Sequence, residues 1–204
     1  MEDLNFIRLT GRVEKMNVNH IDGHVHYVFL IRIKNNGRED LGLAVEKWDP
    51  KNTDIANGDT VSADGQLVAL TFIRPDGTDG VSYFLLAGEV SKESQDASHG
   101  TLVKLVGRVG RTSDNPGGVS FSLATNQVYK DRYGGAVIET TWHMVSVLKG
   151  TDGYEAAKGL LRGDQTAING YLHAITYVNA NGDECIRYVV VANSIEKIIP
   201  VEDR

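Results

Sequence analysis

The chain repeats one sequence pattern in its two halves. Residues 9–13, Leu-Thr-Gly-Arg-Val, return 96 positions later as Leu-Val-Gly-Arg-Val at residues 105–109. Residues 58–90 return 105 positions later as residues 163–195, with glycine, aspartate and aromatic positions kept in step. A chain of 204 residues is long enough for two domains, each with its own core. The repeat therefore predicts two copies of one domain.

Composition and charge limit the kind of protein that this repeat can form. Hydrophobic residues make up 41% of the chain, and no apolar run reaches the roughly 20 residues of a membrane span, so we expect a cytoplasmic protein outside the membrane. The one cysteine, Cys185, permits no intramolecular disulfide. Residues 1–98 hold 10 basic and 16 acidic residues, whereas residues 99–204 hold 11 of each. A polyanion would therefore bind the second copy more strongly.

Both copies read as strands separated by short polar turns. The strands predicted in the second copy, from β-branched residues and apolar–polar alternation, are residues 101–109, 119–127, 139–148, 166–178 and 185–192. Helical spacing of apolar residues predicts one short helix at residues 153–161, where the first copy has room only for a turn.

This element order is that of an OB-fold, the five-stranded Greek-key barrel that binds oligonucleotides or oligosaccharides. We therefore predict an all-β chain of two tandem OB-fold barrels with one short helix in the second copy. The expected boundaries are residues 1–92 for the first domain, 93–100 for a linker and 101–199 for the second domain.

Six motifs of the second copy stand in a fixed order. They are Leu-Val-Gly-Arg-Val at 105–109, Phe-Ser-Leu-Ala-Thr-Asn at 121–126, Tyr-Lys-Asp at 129–131, Glu-Thr-Thr-Trp-His-Met-Val at 139–145, Gly-Asp at 163–164 followed by Asn-Gly-Tyr-Leu at 169–172, and Arg-Tyr at 187–188. In this set, the second copy resembles the bacterial single-stranded DNA-binding protein (SSB) domain. The resemblance implies binding of single-stranded DNA in replication, recombination or repair.

The resemblance also implies site residues and an assembly. In that family aromatic side chains stack on bases, and three stacking positions fall here on Tyr129, Trp142 and Tyr177. A fourth falls near Leu148, which cannot stack. Family members with two OB domains per chain form homodimers with four OB domains, so we expect a homodimer. The chain ends in Val-Glu-Asp-Arg, so recruitment of replication enzymes through an acidic tail is not expected.

Independently of the family resemblance, the residue types of the second copy suit binding of single-stranded nucleic acid. A sequence-tolerant binder needs aromatic rings interleaved with cations along an open groove, because single strands expose flat bases and a charged backbone. The candidates are Tyr129, Lys130, Arg132 and Tyr133 on one loop, Trp142 and Tyr177 on strands, and the cations Arg108, Arg111, Lys149 and Arg187.

The first copy departs from this pattern, because it lacks the Trp-His pair and the aromatic-basic loop. Phe72 aligns with Tyr177, so one stacking position is kept. Candidates for an auxiliary DNA site are Phe72, Trp48, Arg32, Lys34, Arg38 and Arg74. A purely structural or assembly role for this copy stays open.

Other functions have weaker support in the sequence. His20, Asp22, His24 and His26 cluster in one segment, but without a third committed ligand we interpret it as a solvated hairpin tip and expect no metal and no cofactor. Motifs for phosphate cradles, nucleophile elbows and zinc proteases are missing, so we expect no enzyme. The alternatives are a primosome-like OB adaptor that acts through protein contacts and an oligosaccharide-binding module.

Overall fold

The computed structural model describes residues 2–34, 41–50, 54–74, 77–130, 136–179 and 182–199, without the side chains of residues 128–130, 136 and 137. The first five strands are β1 (Leu4–Ile21), β2 (His24–Ile33), β3 (Leu41–Trp48), β4 (Thr60–Ile73) and β5 (Asp79–Lys92). The remaining elements are β6 (Gly100–Asn115), β7 (Gly118–Lys130), β8 (Ala136–Leu148), α1 (Tyr154–Lys158), β9 (Gln165–Val178) and β10 (Glu184–Ile198).

The chain divides into two compact units. One is Phe6–Leu102, and the other is Val103–Arg204 together with Met1–Asn5. We call them the first and the second OB domain.

Each domain closes five strands into a barrel in the same way. In the first, β1 pairs with β2 and β4, β2 with β3, and β4 with β5, all antiparallel, and a parallel pairing of β3 with β5 closes the ring. In the second, β6 takes the place of β1, and the parallel pairing of β8 with β10 closes the ring. This is the Greek-key connection of an OB-fold, and it confirms the predicted all-β fold class.

A glycine in the first strand of each barrel explains part of the repeat. At Gly11 a Cβ would overlap the carbonyl oxygen of Arg32, and at Gly107 it would overlap that of Ala124. The strand must pass this close to its neighbour where it turns from one pairing to the next. Both copies therefore need glycine at this position.

The repeated Gly-Asp pair forms the turn before the fourth strand of each barrel. Gly58 and Gly163 have φ values of 95° and 92°, a region that favours glycine. The Asp59 carboxylate accepts the N–H of Ala56, which with Lys92 lowers its pKa. The Asp164 carboxylate is paired with Lys197 and accepts the N–H of Leu161, and its pKa is also lowered.

The helix α1 is shorter than the predicted 153–161. It ends at Lys158, because Gly159 follows and the backbone changes to i−3 hydrogen bonds. Ala157 and Leu160 are still buried against the barrel, as the spacing predicted, but Leu161 is exposed. Among the described residues, no helix has the length and apolar character needed to cross a membrane.

Candidate nucleic-acid interface

Three strands of the second domain, β6, β7 and β8, present one outer face. Arg108 pairs with Ala124, and Ala124 pairs with Trp142, so these three side chains lie in one row across the sheet. The neighbouring positions point inward, and Leu123 and His143 are buried there. Trp142 is 55% exposed, which places its indole on the outer face rather than in the core.

An open pocket of about 610 Å³ lies beside Trp142. Its described lining consists of Gly110, Arg111, Thr112, Ser122, Trp142 and Arg162. A Cβ on Gly110 would lie 2.8 Å from Cζ3 of the indole and 2.5 Å from Oγ of Ser122. The ring can therefore lie against β6 only because residue 110 has no side chain.

Arg162 was not among the predicted site residues. It lies in the turn between α1 and β9, which is pinned to β6 by hydrogen bonds from Gly163 N–H to the Val109 carbonyl (2.8 Å) and from Val109 N–H to the Asp164 carbonyl (2.9 Å). The only sequence signal was its place directly before the repeated Gly-Asp pair. That signal gives the position of Arg162 along the chain. Its closeness to Trp142 depends on the contact of the turn with β6, which the sequence does not show.

Two of the predicted cations have distinct surroundings. The Arg108 guanidinium donates to the Gly163 carbonyl oxygen at 3.2 Å, so it also holds the turn. Lys149 directly follows β8 and is exposed. Its backbone N–H donates to the Gly117 carbonyl, at the end of the strand away from Trp142.

Tyr177 and Arg187 lie together on the β9–β10 hairpin. Tyr177 pairs with Cys185, and Arg187 pairs with Ile175, so all four side chains share one face. The Arg187 guanidinium carbon is 4.9 Å from the centre of the Tyr177 ring, which is 38% exposed. This is cation–π geometry, and it places charge directly beside an aromatic platform.

The predicted aromatic-basic loop lies largely outside the described residues. Arg132 and Tyr133 lie outside the described residues, and only the backbone of Tyr129 and Lys130 is described, at the end of β7. Their roles stay predictions.

His143 forms a buried polar contact beneath the interface. Its Nε2 is 2.8 Å from Oγ1 of Thr125, and both side chains face the barrel interior. Burial lowers its pKa from 6.5 to about 4, so the imidazole is neutral at pH 7. It is 2% exposed and so cannot serve as a surface base.

The first domain has different residues at the same strand positions. Arg12 pairs with Arg32, and Arg32 pairs with Gly42, so the position of Trp142 holds a glycine. The Arg32 guanidinium donates to a Glu14 carboxylate oxygen at 3.0 Å. This predicted auxiliary cation is thus neutralised within the protein.

The other auxiliary candidates differ in whether their side chains are exposed or already bonded within the protein. Phe72 is 46% exposed, with its ring against Gly80, and Trp48 is 39% exposed. Lys34 is exposed. The Arg74 guanidinium donates to the Asp79 carbonyl oxygen at 2.8 Å, within its own hairpin. Arg38 lies outside the described residues.

The histidine segment is only partly a solvated hairpin tip. His20 and His24 are exposed, and His24 lies 2.7 Å from the Asp49 carboxylate, a hydrogen bond that lowers the pKa of Asp49. His26, in contrast, is buried because Trp48 from β3 stacks on it, with ring centres 4.0 Å apart. The described residues contain no group of three or more His, Cys, Asp or Glu arranged to hold a metal ion.

Comparisons with solved structures show the tandem OB fold in another protein. The wild-type single-stranded DNA binding protein from Thermus aquaticus matches with a TM-score of 0.68 and 13% identity, covering 100% of this chain and 97% of that chain. A variant of the same protein matches with a TM-score of 0.65 and 15% identity, at the same coverage. The search of curated proteins found no match.

The sequence comparison with protein families assigns the second half of the chain. Residues 101–198 match the Single-strand binding protein family, and these residues contain the six motifs that carried the resemblance. The match also spans β6, Trp142 and the β9–β10 hairpin, which supply the described aromatic and basic side chains of the interface. In these residues, the second half of the chain is similar to the single-strand binding protein family.

Proposed function

We propose that this protein binds single-stranded DNA largely without sequence preference, through the outer face of β6, β7 and β8. The observation that carries the proposal is the half-exposed indole of Trp142 in a pocket whose described lining contains two arginines and no acid. An exposed ring stacks on any base, and arginines attract any phosphate. Neither interaction depends on base identity. We propose a role in replication, recombination or repair, without catalysis or a cofactor.

The β9–β10 hairpin and the 129–133 loop would extend this binding surface. Tyr177 offers a second ring with Arg187 beside it. Lys149, directly after β8, would add a positive charge that attracts the DNA backbone. The aromatic-basic loop at the end of β7 would contribute Tyr129, Lys130, Arg132 and Tyr133.

The first domain would provide a weaker auxiliary site. Phe72 and Trp48 keep exposed rings, and Lys34 keeps an exposed cation. Arg32 and Arg74 already bond within the protein, so they would contribute less. Two such chains would form a homodimer with four OB domains, as the family resemblance implies. Light scattering should then give twice the 22.3 kDa mass of the chain, and a monomer mass would refute the dimer.

The test of DNA binding is a titration of the protein into fluorescein-labelled oligo-dT at two salt concentrations. We expect binding that weakens as salt rises, because phosphate contacts release counterions. Trp142→Ala should weaken it by about 5- to 150-fold, which corresponds to about 1–3 kcal/mol for one stacked base. Trp48→Ala is the matched control, because it also removes one exposed indole, and it should have a smaller effect.

Two outcomes would replace the proposal. Absence of oligo-dT binding at low salt would favour the adaptor, which needs no DNA contact. Affinity for oligo-dT that does not change with salt would show that charge does not contribute to binding, and the proposed contacts with the DNA backbone would be wrong.

A further inference from the structure

We infer that Arg111 and Arg162 clamp one phosphodiester of the DNA strand, next to the base that stacks on Trp142. This inference rests on the proposed function and adds the group that holds the backbone at that base. The two arginines come from different parts of the domain, one from β6 and one from the turn before β9. They line the same pocket as the indole.

The pocket has a suitable size and polarity for one nucleotide. Its volume of about 610 Å³ lies within the range of roughly 300–1,000 Å³ that is usual for small-ligand sites. Trp142 supplies a flat apolar wall, and Ser122 and Thr112 supply hydroxyl groups. A base can stack on the wall while its phosphate remains within the same pocket.

Both guanidinium groups are available for an anion. Within the described part of the chain, neither Arg111 nor Arg162 has a side-chain hydrogen bond or an ion pair, in contrast to Arg108, which bonds to the Gly163 carbonyl. Two unpaired like charges in one pocket repel each other unless an anion lies between them. The planar fork of arginine matches phosphate oxygens in pairs. A phosphodiester is therefore the ligand that this pair fits.

The backbone that carries each arginine is held in place. The N–H of Arg111 donates to Oγ of Ser122 at 3.0 Å, which fixes the irregular step in β6 between Val109 and Thr112. The turn that carries Arg162 is closed by the bond from Leu161 N–H to the Asp164 carboxylate at 2.8 Å. On the protein's side, only the two arginine side chains need to order on binding.

The first domain lacks the same pair. Counted from the shared Gly-Arg and Gly-Asp motifs, Lys15 stands in place of Arg111, and Asn57 stands in place of Arg162. The Asn57 side-chain oxygen accepts the N–H of Met16 instead. Glu14 occupies the place of Gly110 and adds a negative charge. The clamp is therefore a feature of the second domain alone.

The test measures how the affinity of the full chain for fluorescein-labelled oligo-dT depends on salt. Each phosphate contact contributes about 0.7 to the slope of log K against log salt for a single strand. We expect Arg162→Gln to lose part of this slope of about 0.7, and Arg111→Gln to do the same, because the remaining arginine still faces the phosphate. Since the two arginines share one phosphodiester, the double variant should lose about 0.7 in total. Lys104→Gln is the control, because it removes one exposed cation of this domain outside the pocket.

Three results would overturn the clamp. An unchanged slope in Arg162→Gln, with Trp142→Ala still weakening binding, would refute it while leaving the proposed function intact. An equal loss of slope in Lys104→Gln would show that only overall charge matters. A double variant that loses about 1.4 would show two separate phosphate contacts. If the wild-type protein fails to bind oligo-dT, both the clamp and the proposed function are wrong.

Discussion

Arg108, Ala124 and Trp142 lie in one row across the second OB domain, and the same three strand positions in the first hold Arg12, Arg32 and Gly42. The backbone pairing is the same in both. In the second domain the row ends in an exposed aromatic ring, whereas in the first Arg32 is paired with Glu14 and no ring is present. The OB barrel therefore provides the position, and the side chains decide whether an exposed aromatic ring is present there.

The barrel interiors differ at the neighbouring positions. In the second domain Thr125 and His143 form a buried polar pair. By the same register the first domain has Ile33 and Leu43 there, both fully buried. A buried imidazole stays neutral at a cost that depends on pH, whereas two aliphatic side chains add no such dependence.

The largest expected effect concerns this polar pair. The folded pKa of His143 is lowered to about 4, and the unfolded value is 6.5, so the unfolded chain binds the proton first as pH falls. Stability is fully present above pH 6.5 and is lost towards pH 4, by about 3 kcal/mol in total and about 2 kcal/mol by pH 5. Urea unfolding of the full chain at pH 7 and pH 5 measures the loss.

The control for this prediction is a double variant that replaces the buried polar pair with aliphatic side chains, as the first domain has at the same positions. In Thr125→Val/His143→Leu the loss between pH 7 and pH 5 should shrink by about 2 kcal/mol, since no buried imidazole remains. Asp59 and Asp164 have lowered pKa values and stay ionised at pH 5, so they do not obscure the comparison. An identical pH dependence in both proteins would contradict the role of His143.

Much of the fold and part of the site follow from local sequence pattern. Apolar–polar alternation predicted the strands and placed Trp142 on a strand that also has buried positions. The predicted end of α1 at residue 161 was wrong, because the helix already stops at Gly159. Arg162 was missed, because its closeness to Trp142 arises from the turn's contact with β6. Gly110 was missed, because its closeness to Trp142 arises from the pairing of β6 with β7 and of β7 with β8. The burial of His26 was missed for a similar reason, since its cover, Trp48, comes from another strand.

A medium effect is expected from changing the glycine under the Trp142 ring. In Gly110→Ala the new Cβ would lie 2.8 Å from the indole and 2.5 Å from Oγ of Ser122, so both side chains must move and the ring leaves its place on β6. Binding to oligo-dT should weaken by part of the stacking contribution, about 1 kcal/mol, with little loss of fold stability. Gly117→Ala is the matched control, because a Cβ there meets no atom within 4 Å. Equal affinities for the two variants would show that the ring position is not critical.

The smallest expected effect tests whether the first domain contributes to binding. Phe72 lies with its ring against Gly80, and the nearby Arg74 guanidinium bonds to the hairpin backbone. Its counterpart Tyr177 has Arg187 over the ring, so a base stacked on Phe72 gains less from charge. Phe72→Ala should therefore weaken oligo-dT binding by less than about 1 kcal/mol, measured by anisotropy at the same salt as Trp142→Ala.

Val81→Ala removes another exposed apolar side chain from the hairpin of Phe72 and serves as its control. We expect it to have no effect on affinity, because an aliphatic side chain cannot stack on a base. If Phe72→Ala weakens binding more than Trp142→Ala, the first domain carries the main site, and the row that ends in Trp142 is not what decides binding. If Phe72→Ala and Val81→Ala both match the wild type, the first domain does not stack bases on this hairpin, and its exposed apolar side chains are free for contacts with protein.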